Sequence, residues 1–277
     1  MAANLRPLST GELLDKTFSL YRQNFALFFG IAALPHVILF ALITASGVVL
    51  GLNAWNRLGA RAALPEVAFA FGAAYLLGSV IAAGVTQAAT TFTVSALYLD
   101  QPVSLGRAFS RAKGRILAVV GVLIVFGLAF GVGFMLLIVP GVLVLMWYSL
   151  SVPATVVEQI GVRRALDRSS NLSKGSGGRI LGVYVLLLIL TFVVNLGINY
   201  LAQLALVPLK GIPTLYGLIS SGTSYLVASL VAPIITIALT LLYYDQRVRK
   251  EGFDLEHMMN TLQPSASASI AAAGASV

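Results

Sequence analysis

The chain contains no cysteine and only two histidines, and charged residues make up just 10% of its 277 positions. Without cysteine there is no disulfide, no thiol nucleophile and no thiolate metal site. His36 and His257, with no carboxylate beside His36, do not form a metal donor set, and no cofactor is expected. The scarcity of charge decides the solvent. A soluble domain carries about a quarter charged residues. A chain that is 58% hydrophobic has too little polar surface to cover itself in water, so the solvent is lipid. The net charge of +8 does not make a nucleic-acid face, because the basic residues alternate with apolar runs.

What is present is a series of apolar runs, each near the length of about 20 residues that a spanning helix needs. The expected fold is all-α, a polytopic membrane helix bundle with spans at 25–52, 67–99, 116–139, 142–157, 180–207 and 216–244. The run from Ile116 to Val157 carries no charge and is too long for one span. Val139-Pro140-Gly141 is therefore read as the turn of a hairpin. The membrane domain covers 1–262. The Ser/Ala-rich stretch 263–277 cannot bury enough surface to order itself. Ser9-Thr10-Gly11-Glu12 reads as a capping box. It opens an amphipathic helix that either lies in the membrane interface or docks on the protein.

Fifteen of the eighteen Lys and Arg fall on one side of this six-span layout, and Arg57, Arg61 and Lys210 on the other. Cytoplasmic loops carry the excess of cations, which places both termini in the cytoplasm. The same side holds an internal repeat. Arg107-Ala108-Phe109-Ser110-Arg111-Ala112 resembles Arg164-Ala165-Leu166-Asp167-Arg168-Ser169, and both lead into Gly-Arg-Ile-Leu. Three units are read, each a basic amphipathic helix followed by a two-span hairpin. Spans two, four and six end on Asp100-Gln101, Glu158-Gln159 and Asp245-Gln246.

The stretch Pro153…Glu158…Arg164-Ala165-Leu166-x-Arg168-Ser169…Leu172…Gly175 is one half of a signature. The closing Tyr243-Tyr244-Asp245-x-Arg247-x-Arg249-x-Glu251-Gly252-x-Asp254 is the other. Together they resemble the membrane domain associated with bacterial glycerophosphoryl diester phosphodiesterases, over Pro7 to about Leu262. In that family the membrane domain is sometimes fused to a barrel hydrolase. No such barrel fits in the polar loops of this chain, so the resemblance implies a stand-alone membrane domain and carries over no catalytic residue.

Three groups of residues are candidates for function. Arg163, Arg164, Arg168, Lys174 and Arg179 form a juxtamembrane basic cluster able to hold an anionic headgroup, although topology alone explains the same residues. Asp100, Glu158 and Asp245 sit at helix ends where a carboxylate opposes the dipole, so each needs an arginine. Arg168 or Arg164 is expected for Glu158, and Arg247 or Arg249 for Asp245. Asn195, Asn199 and Gln203 share one face of the fifth span and belong in the bundle interior, with Gln87, Thr90 and Thr91 of the second. They line a path for a solute or act as hydrogen-bond glue between helices. Gly127-x-x-x-Gly131 allows close helix packing. No acid–base or nucleophilic constellation is present. The expectation is a non-enzymatic module that engages anionic phospholipid or a protein partner through its basic helices. The alternative is a facilitator of a small or lipid-like solute.

Overall fold

The computed structural model describes residues 7–58 and 60–252, with the side chains of these apart from 48–68 and 213–214. The expected tail 263–277, His257 and Asp254 lie outside the described residues. Ten α-helices follow one another: α1 (Thr10–Gln23), α2 (Phe25–Leu58), α3 (Ala60–Tyr98), α4 (Leu105–Ala112), α5 (Ile116–Leu136), α6 (Ile138–Tyr148), α7 (Ser151–Val157), α8 (Val162–Ser173), α9 (Gly177–Ala205) and α10 (Pro213–Glu251). Among the described residues there is no strand. Six segments are long and apolar enough to cross a membrane, Phe25–Gly47, Phe69–Tyr98, Leu105–Leu136, Ile138–Val157, Gly177–Ala205 and Leu215–Glu251. The chain is a multi-pass membrane helix bundle.

The spans pair as hairpins α2/α3, α5/α6 and α9/α10, and the pairs close into a ring through α3 on α5, α6 on α9 and α10 on α2. A short helix precedes each hairpin and leans on the span that ended the previous one. Thus α4 packs on α3, α8 on α6 and α7, and α1 on α10. The ends of α3, α7 and α10 fill the centre, with Ala88, Val94, Ala154, Leu241 and Tyr243 fully buried. Outward faces are bare hydrocarbon, as at Met135, 90% exposed. In lipid that exposure is favourable rather than a fault.

The short helices are amphipathic because each must cover the bundle with one face and meet polar surroundings with the other. In α1 the capping box forms in full: Glu12 N–H donates to Ser9 Oγ at 3.2 Å and Ser9 N–H to Glu12 Oε2 at 2.7 Å. Leu13 and Thr17 are buried, and Tyr21 OH donates to the Leu230 carbonyl at 2.5 Å. α1 packs on α10 and α2.

The second hairpin turns earlier than the sequence suggested. The reversal is at Leu137, in extended backbone (φ −163°, ψ 147°), and Pro140-Gly141 fall inside the first turn of α6. Proline is tolerated there because first-turn N–H groups have no intrahelical acceptor. Gly133 and Gly141 face each other across the hairpin. A Cβ on Gly133 would lie 3.0 Å from the Gly141 nitrogen, and one on Gly141 3.0 Å from the Phe134 nitrogen. Backbone cannot rotate out of the way as a side chain can. Gly133→Val is expected to destabilise the folded protein by about 1–3 kcal/mol, seen as a lower midpoint of thermal unfolding in detergent. The pair Gly127 and Gly131 has open space around it instead, so the close approach uses other glycines than the spaced motif.

The fourth span is broken. α6 ends at Tyr148 and α7 begins at Ser151, because Pro153 has no N–H to donate to the Ser149 carbonyl one turn before it. The sixth helix runs beyond the expected Tyr244 to Glu251 and stops on Gly252 in the left-handed region (φ 62°).

Candidate functional site

Two polar assemblies stand out, one on the basic face and one inside the ring. On the basic face, the Asp245 carboxylate is wholly buried. It accepts Arg179 Nη1 at 2.6 Å, Arg249 Nε at 2.9 Å and the Leu8 N–H at 2.7 Å. The Leu8 carbonyl in turn accepts both guanidiniums, at 2.6 and 2.7 Å. The backbone N–H and C=O of one residue of the N-terminal segment are thus clamped between the start of α9 and the end of α10. A second assembly is built on Glu158, which accepts Arg168 Nε and Tyr243 OH, both at 2.6 Å. The same guanidinium forks onto both oxygens of Glu251, and Arg247 donates to Glu251 from one turn away at 3.2 Å. The hydrogen bonds that Arg168 donates to Glu251 push its pKa further up, against the opposing effect of burial.

The basic cluster read from 163–179 therefore divides. Arg168 and Arg179 are held by carboxylates, in two separate assemblies. Lys174 donates to Asn171 Oδ1 at 2.8 Å. Arg163 and Arg164 are exposed and have no ion-pair partner among the described residues. Beside them stands a second set the reading of that cluster left out. Arg107, Arg111 and Lys113 are exposed, Arg115 donates to Gln159 Oε1 at 3.1 Å, and Arg107 to the Pro102 carbonyl at 3.1 Å. Ala108 and Ala112 of α4 and Ala165 of α8 belong to one buried cluster with Val119 and Val122 of α5 and Val156 of α7. The signal was legible as the repeated Arg-Ala-x-x-Arg pattern.

The acidic helix ends meet different fates. Glu158 takes Arg168, and Asp245 takes Arg249 together with Arg179, which comes from the basic cluster. Asp100 is exposed at φ 55°, with no ion-pair partner among the described residues. Aspartate is among the few residues that adopt the left-handed region readily.

The expected polar interior face separates too. Asn199 Nδ2 donates to Asn195 Oδ1 at 2.9 Å, within α9. Gln203 Nε2 donates to Ser220 Oγ at 3.0 Å and Gln203 Oε1 accepts Tyr216 OH at 3.0 Å, which ties α9 to α10. These amides serve as interhelical and intrahelical hydrogen bonds near the end of the bundle remote from the basic face. Gln87 lies elsewhere, on the wall of a cavity of about 290 Å³ at the centre of the ring. All six spans contribute to that wall. At about 1.5 Å of rise per residue from the basic helix ends, its lining residues reach from roughly 6 to 18 Å into the bundle. The break between α6 and α7 opens onto it through Tyr148, Ser149 and Ser151.

No family model, no curated protein and no solved structure matches this chain.

Proposed function

We propose that this integral membrane protein is a non-enzymatic module that holds anionic phospholipid at its basic face, on the cytoplasmic side of the membrane. The observation that carries this reading is the segregation of its cations. Every described carboxylate in an ion pair on that face, Glu158, Asp245 and Glu251, is already matched by Arg168, Arg179, Arg247 or Arg249. Arg107 and Arg111 of α4, Lys113 just after it, and Arg163 and Arg164 of α8 remain exposed. Such cations at the membrane surface contribute about 1 kcal/mol each against an anionic leaflet. The resemblance to the membrane domain of glycerophosphoryl diester phosphodiesterases assigns no chemistry to this chain.

The joint replacement of Arg107, Arg111, Arg163 and Arg164 by Gln is expected to weaken retention of phosphatidylglycerol at least tenfold, and to leave phosphatidylcholine untouched. Native mass spectrometry of the detergent-extracted protein reads both. Equal retention of phosphatidylglycerol by the variant, in a protein with unchanged thermal unfolding, would assign these cations to topology alone.

A further inference from the structure

We propose that the central cavity is a binding site for a compact, uncharged solute that carries both hydroxyl groups and hydrocarbon. The cavity lies on different residues from the basic face, so either proposal can fail without the other.

Its volume of about 290 Å³ sits at the lower end of the range for ligand pockets, about 300–1,000 Å³. Charge is excluded by the wall: among the described residues that line it there is no Asp, Glu, Lys or Arg. An ion placed there would have no counter-charge at a depth where such a group is costly. The polar groups that do line it are incompletely satisfied. Thr86 is 3% exposed and Ser149 6%, and the hydroxyl oxygen of each has no hydrogen-bond partner. Buried polar groups are almost always paired, so two unpaired hydroxyls on one cavity wall ask for a partner within it.

Two further features give that partner its chemistry. His36 Nδ1 lies 2.7 Å from the Ala32 carbonyl, which can only accept, so Nδ1 bears the hydrogen and Nε2, in the uncharged form of the ring, is left to accept. The solute must therefore be able to donate as well as accept, which a hydroxyl does and an ether or ketone does not. The second feature is the break at Ser149–Leu150. Irregular backbone at membrane depth persists only where protein buries it or a cavity takes it up. Pro153 leaves the Ser149 carbonyl without its ladder donor, which adds an acceptor in the broken turn that lines the cavity. Much of the remaining lining is apolar, with Leu123, Phe126 and Ile235. A molecule that carries both hydroxyls and hydrocarbon satisfies both kinds of lining.

The test uses the full chain in phosphatidylcholine nanodiscs and trans-1,2-cyclohexanediol as probe, with cyclohexanecarboxylate and cyclohexylammonium as charged analogues. Saturation-transfer NMR reads binding, with empty nanodiscs as the background. The expected result is saturable transfer to the diol alone. In the double variant T86V/S149A the affinity falls about tenfold, because the diol hydroxyls lose their partners on binding. The same variant keeps its unfolding midpoint or raises it, since hydroxyls without a partner in the protein contribute nothing to the fold. Ala83→Phe, which projects a ring into the cavity, abolishes the signal. Equal binding of the charged analogues, no saturable binding of the diol, or undiminished binding in T86V/S149A would each overturn the proposal. So would a lowered unfolding midpoint in T86V/S149A, because it would show the hydroxyls engaged within the protein.

Discussion

Replacing Asp245 with Asn is expected to destabilise the folded protein by about 2–4 kcal/mol, the largest effect of any single change on the basic face. The substitution keeps an oxygen for the Leu8 N–H but removes the only carboxylate shared by Arg179 and Arg249. Two guanidiniums then face each other across the Leu8 carbonyl with no counter-charge. Removing one partner of a buried ion pair costs about 3–5 kcal/mol. The side chains of Arg179 and Arg249 are 23% and 38% exposed, so water relieves part of that penalty. The readout is the midpoint of thermal unfolding in detergent, with amide exchange at Leu8 and Leu13 followed in parallel. Both should respond, since the clamp holds the segment that leads into α1. A double variant in which Arg249→Met accompanies Asp245→Asn should recover part of the loss. An unchanged midpoint with unchanged exchange at Leu8 would show that Asp245 neither pairs these arginines nor holds the N-terminal segment.

Ser169→Ala should be nearly as costly, at about 2–4 kcal/mol. Ser169 is wholly buried in α8 and stitches the broken fourth span from outside it. Its hydroxyl accepts the Leu150 N–H at 3.1 Å and donates to the Trp147 carbonyl at 2.7 Å. These are backbone groups that the break at Ser149–Leu150 deprives of helical partners. Alanine leaves both unmade in a place closed to water, where each such group costs about 1–3 kcal/mol. The adjacent Ser170 is half-buried and none of its side-chain atoms is hydrogen-bonded, so Ser170→Ala is expected to fall within about 0.5 kcal/mol of the parent. Equal midpoints for the two alanine variants would refute the stitch.

Local reading went furthest where one residue and its neighbours carried the whole physical argument. The capping box of α1 is such a case, because Ser9 and Glu12 are three residues apart and meet in any helix that starts there. Pro140 was misread for a related reason. A proline ends a helix or begins one, and only the approach of Gly133 to Gly141 decides in favour of beginning. The hydroxyl of Ser169 was invisible in sequence, since a serine in a basic amphipathic helix gives no sign of the backbone it repairs 19 and 22 residues away. The amides of α9 were correctly grouped on one face, yet their spacing could not say whether that face looks at a cavity or at Ser220 and Tyr216.

Composition and order alone determined that this is an all-α membrane bundle with six apolar helices. Apolar transfer is proportional to area and indifferent to partner, so it can be summed along a chain. The tertiary structure decided the rest. It selected Arg179 over Arg247 for Asp245, across 66 residues, and joined Leu8 to Arg249 across 241. It also left Arg107, Arg111, Arg163 and Arg164 outside the ion pairs of the described residues, and two hydroxyls unpaired on residues that line a cavity to which all six spans contribute. Hydrogen bonds and ion pairs depend on distance and direction, and those exist only once the helices have packed.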